Sequence, residues 1–245
     1  MKAKGSPILR PLPVRRKTPL GPRHRGPSSR NTLVWTKLIK RLKDLFRRAD
    51  SLWGEGARTA RPGELSCRAG CFGCCIGPFE ISLAEAVLAR AGLERLGPEE
   101  QKRIRDRAEE IVGGSKKLFP GDADSGLLDP ERTEVADDVY FTSVANVACP
   151  MLELPSGRCR IYEERPITCR TYGLAWMREG EVVYPACSLN FVGEGDARQR
   201  ETAIDLNRLL SGDQEMAEVA RRAGLPAGAE TTLAHAVTGS AFKRT

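Results

Sequence analysis

Apolar side chains recur at helical spacing between Thr32 and Gly54: Leu38, Leu42, Leu45, Phe46, Ala49, Leu52 and Trp53 fall on one stripe. Lys37, Lys40, Arg41, Lys43, Arg47 and Arg48 fall on the other side, so the segment predicts an amphipathic helix docked by its apolar face and ended by Gly54. Ser82 with Glu85 forms a capping-box signature at the start of SLAEAVLARAGL, and Pro98 opens a further helix that stops at Gly113 and Gly114. Residues 113–130 are rich in Gly, Asp and Pro and read as a loop. Ser156-Gly157 between MLEL and RCRI reads as a hairpin turn, and Glu179-Gly180 between GLAWMR and EVVYPA as another. Pro166 suits the first turn of a short helix, PITCRTY, that presents Cys169. Helical periodicity returns over 196–223 through Ile204, Leu206, Leu209 and Leu210, and the last twenty residues fade into Ala, Gly and Thr. No repeat of fixed period is present. The pattern predicts an α+β chain, mostly helical, with small β-hairpins around its cysteines.

The first thirty residues break this pattern. They hold six of the sixteen prolines, nine basic residues and no acid, a composition that buries too little apolar surface to offset ordering and predicts disorder. The expected organisation is a disordered basic tail (1–30), a basic amphipathic helix and linker (31–60), a cysteine-cluster metal-binding domain (61–195) and a C-terminal helical segment and tail (196–245). Charge follows the same division. Residues 1–60 carry 16 Lys/Arg against 3 Asp/Glu, whereas the rest carries 23 against 29, so an argument for nucleic acid or an anionic surface rests on residues 1–53 alone. The N-terminal stretch has no apolar core of signal-peptide length, Arg15 and Arg16 lack the apolar sequel of twin-arginine export, and no apolar run is long enough to span a membrane. A cytoplasmic, reducing location is the expectation.

Eight cysteines then become the informative residues: Cys67, Cys71, Cys74, Cys75, Cys149, Cys159, Cys169 and Cys187. A chain of 245 residues builds a core without disulfide staples. Soft thiolates select zinc, copper(I) or iron-sulfur clusters, and the only histidines are His24 and His235, so a metal site here is expected to be all-sulfur. Cys71 and Cys74 have the C-x-x-C spacing that wraps one ion, with Cys67 near enough to be a third ligand. Adjacent residues of an extended segment point to opposite sides, so Cys74 and Cys75 are expected to serve two sites, or different atoms of one cluster, unless one is a spare thiol. Spacing alone leaves open two four-sulfur sites, one iron-sulfur cluster with spare thiols, or a zinc with a cluster. Arg165 and Arg170 place cations near Cys159 and Cys169, and Tyr162 and Tyr172 are candidate hydrogen-bond donors around the centre. Salt bridging to Glu163 and Glu164 is the alternative role for these arginines.

CRAGCFGCC at 67–75, the segment from Cys149 to Leu152, CRIYEERPITCR from Cys159 to Arg170 and the late Cys187 together resemble the YkgJ-type cysteine-cluster family, a zinc- or iron-chelating domain with a CxxCxxCC motif. The resemblance spans roughly residues 60–195. It implies that the eight cysteines form the metal-binding set, and relatives include flagellin lysine methylases with an iron-sulfur cluster. The leading spacing departs from the motif, x3 instead of x2, and the basic arm is additional.

Three functions follow as expectations. The first is a metal-binding protein holding iron, as an Fe-S cluster, or Zn2+. The second is an Fe-S-dependent enzyme of the flagellin lysine methylase or radical-SAM type. Cys67, Cys71 and Cys74 match the C-x3-C-x2-C spacing of the latter, but Gly73 stands where an aromatic is usual and the strand-helix alternation of a barrel is missing. No Gly-rich cofactor loop supports a methyltransferase. The third is a zinc-stabilised nucleic-acid-binding module using the arm. Neither His24 nor His235, read as a surface residue, is assigned a catalytic role, and no nucleophile-base pair supports hydrolase chemistry.

Overall fold

The computed structural model describes residues 29–226 and 228–242. The expected disordered tail, and with it His24, lies outside the described residues but for Ser29 and Arg30, which open the first helix. This helix, α1 (Ser29–Thr59), buries the predicted stripe of Leu38, Leu42, Phe46, Ala49 and Leu52. It runs through Gly54 and ends a turn and a half later than expected. A helix-interior glycine costs only about 1 kcal/mol, which burial of the adjoining Ala49 and Leu52 against Leu174, Phe191 and Ile204 outweighs.

A short strand, β1 (Glu80–Ser82), leads into α2 (Leu83–Glu94) through the predicted capping box. The Glu85 amide donates to Ser82 Oγ at 3.3 Å, and Glu85 Oε2 accepts from the Ser82 amide at 2.9 Å. The next helix, α3 (Pro98–Ser115), again runs past its expected glycine stop, with the Ser115 hydroxyl donating to the Ile111 carbonyl at 2.8 Å. The segment expected to be a loop holds two strands, β2 (Gly121–Asp122) and β3 (Leu127–Leu128), and α4 (Glu134–Ser143) follows it. Both expected hairpins form: β4 (Leu152–Glu153) with β5 (Arg158–Cys159), and, after α5 (Ile167–Thr171), β6 (Trp176–Arg178) with β7 (Glu181–Tyr184).

The C-terminal third differs most from expectation. The single periodicity over 196–223 is divided into α6 (Asp196–Thr202), β8 (Ile204–Asp205), α7 (Leu206–Leu209) and α8 (Asp213–Arg222). The Asp205 carboxylate caps α7 by accepting from Asn207 N, so a new helix starts there, while β8 pairs in parallel with β6. Residues 228–242, read as part of a fading tail, are structured, and residues 243–245 lie outside the described residues. β9 (Glu230–Thr232) is an inner strand of a four-stranded sheet ordered β1-β9-β3-β2, and α9 (Leu233–Thr238) is buried along most of its length. The small side chains that read as a tail, Ala234, Ala236 and Val237, pack with Ala86, Ala89, Ile104 and Ala108 of α2 and α3. Alanines let helix backbones approach closely, and that is why a run so weak in hydrophobicity sits in the core.

Candidate metal centre

The first cysteine segment is a succession of tight turns. Cys71 N donates to Arg68 O at 2.9 Å and Cys75 N to Phe72 O at 2.8 Å, with Gly73–Cys75 forming one turn of 3-10 helix. Successive side chains there are about 120° apart, not the opposed directions of a strand. The extended geometry expected for Cys74 and Cys75 is therefore corrected: their thiols are hydrogen-bonded to each other.

The other cysteines reach this loop through specific clamps. Cys149 N donates to the Cys75 carbonyl at 2.7 Å and Gly77 N to the Val147 carbonyl at 2.8 Å, so two segments far apart in sequence run side by side. The β4–β5 hairpin sets Cys159 opposite Leu152, and its turn residue Gly157 (φ 68°) lies against Gly70; a Cβ at Gly157 would stand 2.4 Å from the Gly70 carbonyl oxygen. Pro166 precedes α5 as its N-cap instead of occupying its first turn, and Ile167 N donates to Glu85 Oε1 at 2.8 Å. The carboxylate that completes the capping box of α2 thus also anchors the helix carrying Cys169. Cys187 N donates to the Gly173 carbonyl at 3.3 Å. Gly173 has φ 107°, and a Cβ there would stand 2.8 Å from Cys67 Sγ.

Asn190, a residue the spacing argument did not find, ties these pieces together. It is buried, donates through Nδ2 to the Gly173 carbonyl at 2.7 Å and to Cys67 Sγ at 3.3 Å, and accepts through Oδ1 from Ser66 N at 2.8 Å. Its place three residues after Cys187, in CSLN, was the available signal. An asparagine in a loop is too common to mark a site by itself.

Seven cysteines, Cys67, Cys71, Cys74, Cys75, Cys149, Cys159 and Cys169, line one cavity of about 560 Å³. Cys187 lines an adjoining cavity, into whose wall Cys74 also enters, and interacts electrostatically with Cys67. All eight are free thiols. They ring the cavity without closing up, since among the described residues no three His, Cys, Asp or Glu side chains converge as a ready-made ligand set. Burial pushes the Cys149 thiol up to about 12 and raises Cys67, Cys159 and Cys169 as well. The hydrogen bond from Cys75 lowers Cys74 to about 7, helped by Arg165, and the same bond raises Cys75. Each thiolate made in such a cavity opposes the next unless a cation enters with them. Seven unpaired thiols round one cavity, with no disulfide and no histidine in the lining, therefore fit a soft metal ion or sulfur cluster.

Arg165 and Arg170 both border the cavity but stand in different relations to it. Arg165 lies 3.7 Å over the Tyr162 ring, reaches Asp50 at 3.2 Å and exerts its charge on Cys74 and Cys159. Arg170 bonds to Asp50 Oδ2 at 2.6 Å, to the Arg165 carbonyl at 3.0 Å and to the Glu163 carbonyl, with Phe46 4.3 Å beneath it. The acid both arginines meet is Asp50 of α1, not the neighbouring Glu163 or Glu164 side chains. Tyr162 is exposed at the cavity wall, and Tyr172 lines both cavities while its carbonyl accepts from Trp53 Nε1 at 3.1 Å. His235 is not at the surface as expected. It is 1% exposed, its Nδ1 lies 2.9 Å from Thr232 Oγ1, its ring packs 4.3 Å from that of Phe119, and it does not line the thiol cavity.

Fold and site together define a class: an α+β protein that gathers unpaired thiols round one cavity. The chain belongs to the CxxCxxCC family, described as "Putative zinc- or iron-chelating domain", whose model matches residues 66–188 and so brackets all eight cysteines. No match to the chain is found among curated proteins or among solved structures. Among the described residues no helix is long and apolar enough to cross a membrane.

Proposed function

We propose that this protein holds a sulfur-ligated centre of more than one metal atom, with iron as an iron-sulfur cluster the first reading and zinc the second. The observation that carries it is the lining of a single cavity by seven cysteines. One tetrahedral zinc takes four ligands, so seven thiols at one cavity exceed what a mononuclear site uses, whereas clusters take thiolates at several metal atoms. The adjacent Cys74 and Cys75, whose free thiols are hydrogen-bonded to each other, suit neighbouring atoms of such a centre. The chain's own part is to present the thiols, to hold Cys67 through Asn190, and to place the Arg165 charge beside Cys74 and Cys159, where it favours the thiolate.

No observation favours the nucleic-acid reading. On α1, Lys37 and Arg41 pair with Glu215, Arg47 pairs with Asp44, and Arg48 donates to the carbonyls of Leu209 and Ser211. The test is metal and acid-labile sulfide analysis, with an absorption spectrum, on protein purified without oxygen. Iron with sulfide and a visible band that bleaches on reduction is the expected result. Two zinc ions and no sulfide selects the second reading, and a metal-free protein overturns both.

A further inference from the structure

The cavity next to the thiols has a different chemistry. It encloses about 290 Å³ and shares Cys74, Phe79 and Tyr172 with the thiol cavity. Its other walls include Phe141, Trp176 and Tyr184, so five aromatic residues line one small space. This in a chain with only fourteen Phe, Tyr and Trp residues is a concentration. The Trp176 and Tyr184 rings lie 5.4 Å apart at 36°. A bulge brings them together: Met177 pairs with Val182 and Trp176 with Tyr184, so Val183 is the extra residue and Tyr184 stands opposite Trp176. Bulges re-aim side chains in this way beside functional sites. Tyr184 remains 55% exposed, so its ring is accessible to a ligand arriving from solvent.

Charge narrows the ligand. The chain has 39 Lys and Arg residues, yet no Lys, Arg or His lines this cavity. Apart from its cysteines and tyrosines, its one ionisable side chain is Glu80, which is exposed and whose carboxylate has no ion pair or hydrogen bond among the described residues. Aromatic faces present negative potential, and several of them around a desolvated cation, with a carboxylate at the rim, recognise alkylated ammonium groups. The volume lies at the small end for ligand pockets and admits a head group, not a large molecule.

We propose that this cavity binds an organic cation, an alkylated ammonium group, seated among the aromatic rings with Glu80 as its counter-charge and held against the wall shared with the thiol cavity. The proposal goes beyond the metal reading and does not depend on which metal is bound. It is tested by calorimetric titration of the full-length protein with choline and with 3,3-dimethylbutanol, the neutral isostere of the same shape. Choline is expected to bind roughly tenfold or more tightly than the isostere, the ratio that ring-cation attraction provides when desolvated. Tyr184→Ser and Glu80→Gln, both at exposed positions, are each expected to weaken choline several-fold while leaving the unfolding midpoint and the metal content unchanged. Equal binding of the isostere, choline affinity unchanged in either variant, or no choline binding at about 10 mM (an affinity weaker than roughly −3 kcal/mol) would overturn it.

Discussion

At the scale of single residues, the cysteines and the residues Arg165, Arg170, Tyr162 and Tyr172 that border their cavity were legible, and the groups that clamp the thiols in place were not. Thiol spacing is a local property of the sequence, whereas the groups that hold the thiols come from contacts of long range: Asn190 lies 123 residues from Cys67. Gly157 shows how strict such contacts are. Its left-handed backbone and the 2.4 Å approach of a Cβ to the Gly70 carbonyl both exclude a side chain, so Gly157→Ala is expected to cost roughly 2–4 kcal/mol from strained φ and backbone overlap. Urea denaturation measures this, and a loss below about 1 kcal/mol would mean that the loop and hairpin do not meet as described. His235 was misread because position near a chain end says nothing about burial. Its folded pKa is lowered from 6.5 to about 4 by burial, so it stays neutral in the native state while the unfolded chain binds a proton below 6.5. Stability from this group is therefore complete above pH 6.5 and is lost as pH falls toward 4, by roughly 3 kcal/mol in all. His235→Gln is expected to flatten that part of the pH profile of the urea midpoint, and parallel profiles for the two proteins would refute the assignment.

Elements were legible where a local signal sets their boundary and illegible where burial does. The capping box of α2 and the turns at Gly157 and Gly180 stand as read, because side-chain acceptors and left-handed glycines act within a few residues. Gly54, Gly113 and Gly114 failed as helix ends, since packing continues past them, and α9 was missed because its core face consists of small residues. Glu85 joins two elements: it caps α2 and accepts from Ile167 N at the start of α5. Ser82→Ala removes only a cap, worth about 1 kcal/mol. Glu85→Ala also leaves a partly buried amide without its acceptor and is expected to cost roughly 2–3 kcal/mol. Equal losses in the two variants would show that the α5 contact contributes nothing, and loss of metal from Glu85→Ala alone would trace the effect to Cys169.

For the whole molecule, the helical core and the thiol cavity rest on different forces. α2, α3 and α9 bury a continuous set of aliphatic side chains, while the cavity is walled by two-residue strands, of whose residues only Leu152 is buried, and by a 3-10 turn that contains no buried residue. Such small elements bury too little apolar surface to hold themselves, and the thiols within them resist sharing charge without a cation. A bound metal at a thousand times its dissociation constant adds about 4 kcal/mol to the native state, and on this architecture most of it falls on the cavity walls. Removing the metal by chelation is thus expected to unfold locally, not globally. Hydrogen exchange followed by mass spectrometry should show residues 67–79, 147–173 and 187–190 losing protection by tenfold or more (about 1.4 kcal/mol), with α2, α3 and α9 holding theirs and the far-ultraviolet helical signal nearly unchanged. Collapse of the helical signal on chelation would place the metal at the root of the whole fold, and unchanged exchange in the cavity walls would mean that the thiols stay in place without it.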